Sequence, residues 1–217
     1  MQLHRNPSIV SMQLHRYDVG VPRKVDHDSR RRLVAEAVCR LVGREGIEAA
    51  TLREVAAEAG VSMGAVQRCF QTRQQMLIFA QEHVNQRIAE RAKARIAASL
   101  DPESVVTMVE EILTALLVCD EDLVEARVWI AFTAQAAVDP TVAAAQREHY
   151  RGLTEGLRSL VTLGQQNGQI AASVDADRIA DELIAITDGL MIQVLMGRHT
   201  LESARTALHA ATTALRT

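Results

Sequence analysis

Residues 58–70 read EAGVSMGAVQRCF and set two glycines four apart in a chain otherwise rich in alanine, leucine, valine, glutamate and arginine. Glycine in a helix interior costs about 1 kcal/mol against alanine, so the pair around Val61, Ser62 and Met63 marks a bend between two short helices. Helix-start signals surround that bend. Thr51-Leu52-Arg53-Glu54 has the S/T-x-x-E form of a capping box, Ser62 can cap the next helix with Val61 and Val66 as a hydrophobic staple, and Thr72-Arg73-Gln74-Gln75 opens a longer helix. Gly60 stands where a left-handed C-terminal cap is wanted. Three starts joined by so tight a turn describe a helix-turn-helix. The segment from Ser62 to Cys69 then crosses its predecessor, with Val66 and Phe70 inward and Met63, Ala65, Gln67 and Arg68 outward.

The helix before it, DSRRRLVAEAVCRLVGREG from Asp28, places Leu33, Val34, Ala37, Val38, Leu41 and Val42 on one stripe, with Gly43 and Gly46 closing it. Arg30, Arg31 and Arg32 stand at its beginning. Cations there oppose the helix dipole by a few tenths of a kcal/mol, so helix stability does not explain them; phosphate contact and a solvated charge run are the alternatives. Charge divides the chain further along. Residues 1–75 carry 12 Lys+Arg against 8 Asp+Glu, a net of +4, and residues 76–217 carry 12 against 19, a net of −7, which together give the total of −3. A basic head and an acidic body point to a polyanionic partner for the head.

Residues 1–27 read as a flexible tail. MQLHR occurs at 1–5 and again at 12–16, as a duplicated coding stretch or a true start at Met12 would leave, with a basic arm as the alternative. Cys39, Cys69 and Cys119 are odd in number and far apart, which fits reduced thiols and neither a disulfide framework nor a zinc site. No run approaches the roughly 18 apolar residues of a membrane span, and no signal-peptide core is present, so a cytoplasmic protein without a membrane partner is expected.

A helix presented by such a turn fits the major groove of duplex DNA, its first turn toward the base edges. Gln67 can pair with adenine, Arg68 with guanine or a phosphate, and Ala65 can touch a thymine methyl beside Met63. Thr51 and Ser62 offer hydroxyls and amides to phosphates, and Arg30, Arg53 and Arg73 supply charge.

The order TLREVAAEAGVSMGAVQRCFQTRQQML resembles the DNA-binding domain of the TetR family of transcriptional regulators, matching at Thr51, Val55, Ala56, Ala59, Gly60, Val61, Ser62, Gly64, Val66, Phe70, Thr72, Arg73 and Leu77, over about residues 28 to 80. The family commonly has tyrosine where this chain has Gln67 and Cys69, and lysine where it has Arg73. Gln67 and Arg68 would then replace a phosphate anchor with a base reader. The resemblance implies an all-α regulator: a DNA-binding head at 28–75, and a body at 76–217 that binds a small effector and forms a homodimer. It further implies a repressor on a palindromic operator, released by that effector, with no cofactor.

In the body, Asp-Pro pairs at 101–102 and 139–140, a break from Gly164 to Gly168 and a cap at Asp175 predict helices at about 103–118, 122–137, 140–166, 175–197 and 201–215, some nine in all. The segment VEARVWIAFTAQAAVDP is similar to the BetI-like subset, whose best-known members respond to choline; an aromatic cage here could draw only on Trp129, Phe132 and Tyr150. Trp129, Phe132 and Thr133 share a face that Met108, Ile112 and Leu116 could oppose, with Tyr150 and Met191 nearby, as a pocket or as plain core. The helix from Asp175 is apolar over a wide arc, and Leu183, Ile186, Leu190 and Val194, with Leu201, Ala204, Leu208 and Ala211 of the last helix, are the expected dimer interface.

Enzymatic function finds no support: HExxH, a P-loop and GxGxxG after a strand are all absent, Gly60-Val61-Ser62-Met63-Gly64 has the GxSxG spacing but joins two helices and is no strand-to-helix nucleophile elbow, and the seven histidines are scattered. Two alternatives keep the fold. One is a redox-responsive regulator using Cys69 beside Arg68, and the other is an interaction protein without DNA binding.

Overall fold

All three start signals of the head form as caps. Thr51 Oγ1 accepts the Glu54 amide at 3.1 Å, Ser62 Oγ accepts that of Ala65 at 3.2 Å, and Thr72 Oγ1 accepts that of Gln75 at 3.1 Å. Each such cap contributes about 1 kcal/mol. The Thr51 box closes on one side only, because the Thr51 amide donates to the Ala49 carbonyl at 2.8 Å and leaves Glu54 no donor to reach back for. Gly60 takes φ +65°, the left-handed cap that ends the first helix of the motif.

This computed structural model describes residues 23–117 and 123–216, with side chains from residue 27 onward. The MQLHR repeat, residues 1–22 of the expected tail and Cys119 lie outside the described residues. Nine α-helices occupy the described chain: α1 Arg23–Glu45, α2 Leu52–Glu58, α3 Met63–Cys69, α4 Arg73–Ala98, α5 Val105–Leu117, α6 Val124–Ala136, α7 Pro140–Gln166, α8 Ala176–Leu195 and α9 Leu201–Thr213. A single 3-10 turn, Ile47–Ala49, links α1 to α2. Helix α1 starts at Arg23 and not Asp28, since residues 23–27 hold no glycine or proline to stop it; that part of the expected tail is helix.

In the head, Val34, Ala35, Val38, Leu41 and Val42 of α1 pack with Val55, Val66, Phe70, Met76 and Leu77. Leu33, expected on this stripe, is 40% exposed, and Ala35 and Cys39 take the inward positions. Burial pushes the Cys39 thiol up to about 12, so it stays protonated and inert. Gly43 does not end α1. It is buried, and a Cβ there would lie 2.8 Å from Val124 Cγ1, so its bareness lets α6 approach.

Val128 and Phe132 of α6 and Val142 of α7 belong to this same cluster, which joins head to body. A second cluster, built on Leu113, Leu117, Leu157, Val161, Leu183 and Leu208, fills the body between α5, α7, α8 and α9. Inside α7, Gly164 lies so close to Ile170 that a Cβ would meet its Cδ1 at 2.7 Å.

Candidate functional site

On α3 the outward arc holds Ser62, Met63, Gln67 and Arg68, all exposed, with Met63 at 47%. Ala65 does not belong to it. It is 7% exposed, next to Val66 on the arc that packs against the head, so the expected thymine-methyl contact is withdrawn. Thr51 and Arg53 are exposed at the start of α2. The Thr51 and Ser62 hydroxyls accept backbone amides as caps, which leaves each hydroxyl proton to give to a phosphate.

The basic bias of the head overstates its charge toward DNA, because several arginines work inside it. Arg73 Nε donates to the Ala50 carbonyl at 2.9 Å, and its Nη2 donates to that of Ile47. It clasps the α1–α2 link as a positioning residue, with its side chain 35% exposed. Arg31 stacks over the rings of Phe79 at 4.1 Å and Phe70 at 5.0 Å. Arg40 and Arg44 both bind Glu58 of α2, at 2.6 and 3.0 Å, and their hydrogen bonds, Arg44's foremost, hold its carboxyl below the usual carboxylate range. Arg30 is half-buried on α1, and Cys69 is half-buried in a cleft beside Arg31, Arg68 and Phe79.

The body encloses a cavity of about 40 Å³ between α4, α5, α6, α7 and α8. Of the residues expected to line it, Leu116, Trp129, Phe132, Tyr150 and Met191 do so. Met108, Ile112 and Thr133 do not. Ile112 faces a neighbouring groove, Thr133 Oγ1 turns back to the Trp129 carbonyl at 2.9 Å, and Met108 stands two helical turns from Leu116, beyond the lining. Gln81, Asn85, Glu125, His149, Thr187 and Asp188 also line the cavity and were missed. Buried acids are rare enough that a Glu and an Asp on helix faces read as solvent-facing from sequence alone.

The polar lining forms two groups. Trp129 Nε1 donates to the Tyr150 hydroxyl at 3.1 Å, and that hydroxyl donates to Asp188 Oδ2 at 2.8 Å. Burial raises the Asp188 carboxyl to about 6, only partly offset by the Tyr150 bond, and among the described residues no cation acts on it. Burial also raises the Tyr150 hydroxyl and lowers His149, so both are neutral at pH 7. Across the cavity Glu125, 2% exposed, meets Arg91 at 2.7 Å and Arg87 at 3.1 Å. The Arg87 contact lies off the hydrogen-bond axis, so Glu125 Oε1 accepts no bond, and neither does the buried Gln81 Oε1. The two arginines meet the charge of Glu125, so the acceptors left for a ligand are the Asp188 carboxyl, bonded by Tyr150, and Gln81 Oε1: a ligand with donors and positive charge would satisfy them.

The expected dimer face needs correction. Leu183, Val194, Ala204 and Leu208 are 7% exposed or less and fill the protomer's own core, since α8 and α9 turn those rows toward α5 and α7. Leu190, Leu201 and Ala211 are half-buried against it, and Ile186 is 41% exposed. The outward face carries Ala185, Ile186, Gly189 and Ile192 of α8 and Met196 at its C-cap, with Ala207, Ala210 and Ala214 alongside α9.

Known proteins share both halves. Residues 35–78 match the model of bacterial regulatory proteins of the tetR family, and residues 103–217 match that of the BetI-type transcriptional repressor C-terminal domain. The HTH-type transcriptional regulator PksA of Bacillus subtilis is 31% identical, over 81% of this chain and 83% of its own length. The HTH-type nicotine-responsive transcriptional repressor HdnoR of Paenarthrobacter nicotinovorans is 26% identical, over 76% and 82%. Among solved structures, a transcriptional regulator of Saccharomonospora viridis in complex with choline superposes with a TM-score of 0.72 at 22% identity, over 84% of this chain and 95% of that one.

Proposed function

Because the chain belongs to the TetR family of DNA-binding transcriptional regulators, we propose that it is a dimeric repressor whose hold on a two-fold operator is released by a cationic amine effector. The observation that carries the effector class is Asp188, a carboxylate held by Tyr150 and, among the described residues, by no cation, facing aromatic walls of Trp129 and Phe132. Two relatives are consistent with a cationic effector, since one is named for nicotine, an amine protonated at neutral pH, and the other holds choline, a quaternary ammonium. On the DNA side, Gln67 and Arg68 read bases, Met63 packs against them, and Thr51, Ser62 and Arg53 position the head on phosphates.

Release follows from the cavity's size. About 40 Å³ holds roughly three waters, too little for an amine of several heavy atoms, so binding must widen the space between α6 and α8. Phe132 belongs at once to the cavity wall and to the head's core, and α6 touches α1 at Gly43. Displacing α6 therefore moves the head, and the effector shifts DNA affinity by the difference in its own affinity for the two arrangements.

Mobility shift on the DNA flanking its own gene tests both halves. Binding to one fragment, weakening steeply with salt and reversed by nicotine or choline in wild type but not in Asp188→Asn, is the expected result. Binding no stronger than to random DNA would refute the regulator assignment for this head, and equal release of Asp188→Asn would refute the cationic one.

A further inference from the structure

The cavity has a mouth. A groove of about 280 Å³ between α4, α5 and α7 shares Asn85, Ile88, Leu116, His149 and Leu153 with the cavity lining. Beyond those shared residues it continues past Ala89 and Ala92 to Ile96, with Ile112 opposite. From Asn85 to Ile96 the α4 face is about 16 Å long. Its walls are almost wholly apolar; among the described residues that line it, Lys93 at the edge is the one charged side chain. His149, held neutral by burial, stands where groove and cavity meet, so no charge bars an apolar chain from passing between them.

We infer that the effector is an amphiphilic amine: its ammonium head lies in the cavity at Asp188, and an elongated apolar arm runs out through the groove along α4. Resting on the cationic assignment of Asp188, this adds the shape of the molecule. An acceptor-lined, nearly closed end and an open apolar end demand opposite chemistries of one ligand. The orphan Gln81 Oε1, 8% exposed in its residue, accepts an N–H of the head, which a protonated amine has and a quaternary ammonium lacks.

Trp129 is the chain's single tryptophan and lies in the cavity, so its fluorescence in the full-length protein reports occupancy. Propylamine, hexylamine and decylamine are titrated below their aggregation concentrations, with 1-decanol as the uncharged control and far-UV circular dichroism to confirm that helicity holds. Affinity is expected to rise by about two- to fourfold per methylene seated. In Ala89→Phe, a substitution at an exposed residue that fills the groove, the gain from hexylamine to decylamine disappears while propylamine binding is unchanged. Equal affinities across the series, still dependent on Asp188, overturn the arm and leave the cationic head standing. Decanol binding as tightly as decylamine overturns the head instead, and no binding by any of them overturns both.

Discussion

In the proposed function Asp188 takes the effector and Gln67 a base, and both depart from what their neighbours would dictate. A carboxyl raised to about 6 by burial is more basic in the folded chain than unfolded, so its ionisation above pH 6 costs stability, and the cost vanishes at pH values below its unfolded range near 4. Asp188→Asn should therefore raise the thermal midpoint at pH 7.5 while removing response to an amine, which differential scanning fluorimetry with and without ligand will show. In wild type, a bound cation lowers the carboxyl's pKa, so amine affinity is expected to be flat above pH 7 and to fall up to tenfold per unit below 6; a pH series of Trp129 titrations measures it. Gln67 replaces a residue that in the resembling family is an aromatic phosphate anchor, and it stands exposed in mid-helix beside Arg68. Gln67→Ala should cost about 1–3 kcal/mol of discrimination at one adenine and leave the salt slope unchanged, as competition with single-base operator variants will reveal.

At the scale of the helix, α6 links cavity to head, and its contact with α1 depends on the absence of one side chain. Gly43→Ala places a Cβ 2.8 Å from Val124 Cγ1, a β-branched atom with little freedom to yield, so about 1–3 kcal/mol of stability should be lost, with amine release of DNA altered as well. Chemical denaturation and effector-titrated mobility shift separate the two effects. The same helix shows where sequence suffices and where it fails. Caps at Thr51, Ser62, Thr72, Asp139 and Asp175 were readable because a cap is made by residues within three positions of each other. The inward side of Ala65 and the role of Gly43 were not, since both depend on a second helix at a distance the sequence does not state. The carbonyls that Arg73 holds and the rings under Arg31 were illegible for a related reason: charge on a helix says nothing of whether carbonyls or aromatic rings lie within its reach. The aromatic half of the cavity was visible as Trp129, Phe132 and Tyr150, whereas the acids that give it charge looked like surface residues.

For the whole molecule, one head reaches one half-site, and a two-fold operator needs two copies held at a fixed spacing. The described protomer leaves an apolar face on α8, with Ile186 41%, Ile192 38% and Met196 59% exposed, and small residues Gly189, Ala207 and Ala210 beside it. Bare backbone and alanine allow helices of two copies to approach closely, and the large side chains fill the remaining space, a combination that fits a four-helix interface. The neighbouring rows do different work: Leu183 and Leu208, 1% and 0% exposed, belong to the protomer's own core. The two sets should therefore separate by experiment. Ile192→Glu or Met196→Glu buries a charge only in the dimer, so sedimentation is expected to show monomers with unchanged helicity, and operator binding should weaken while non-specific binding per head persists. Leu208→Ala should cost the protomer about 2–5 kcal/mol in denaturant midpoint without a specific effect on association at temperatures where it is folded. A Met196→Glu chain that remains dimeric would place the partner on another surface, and the spacing of the two heads would then have to be set by that surface.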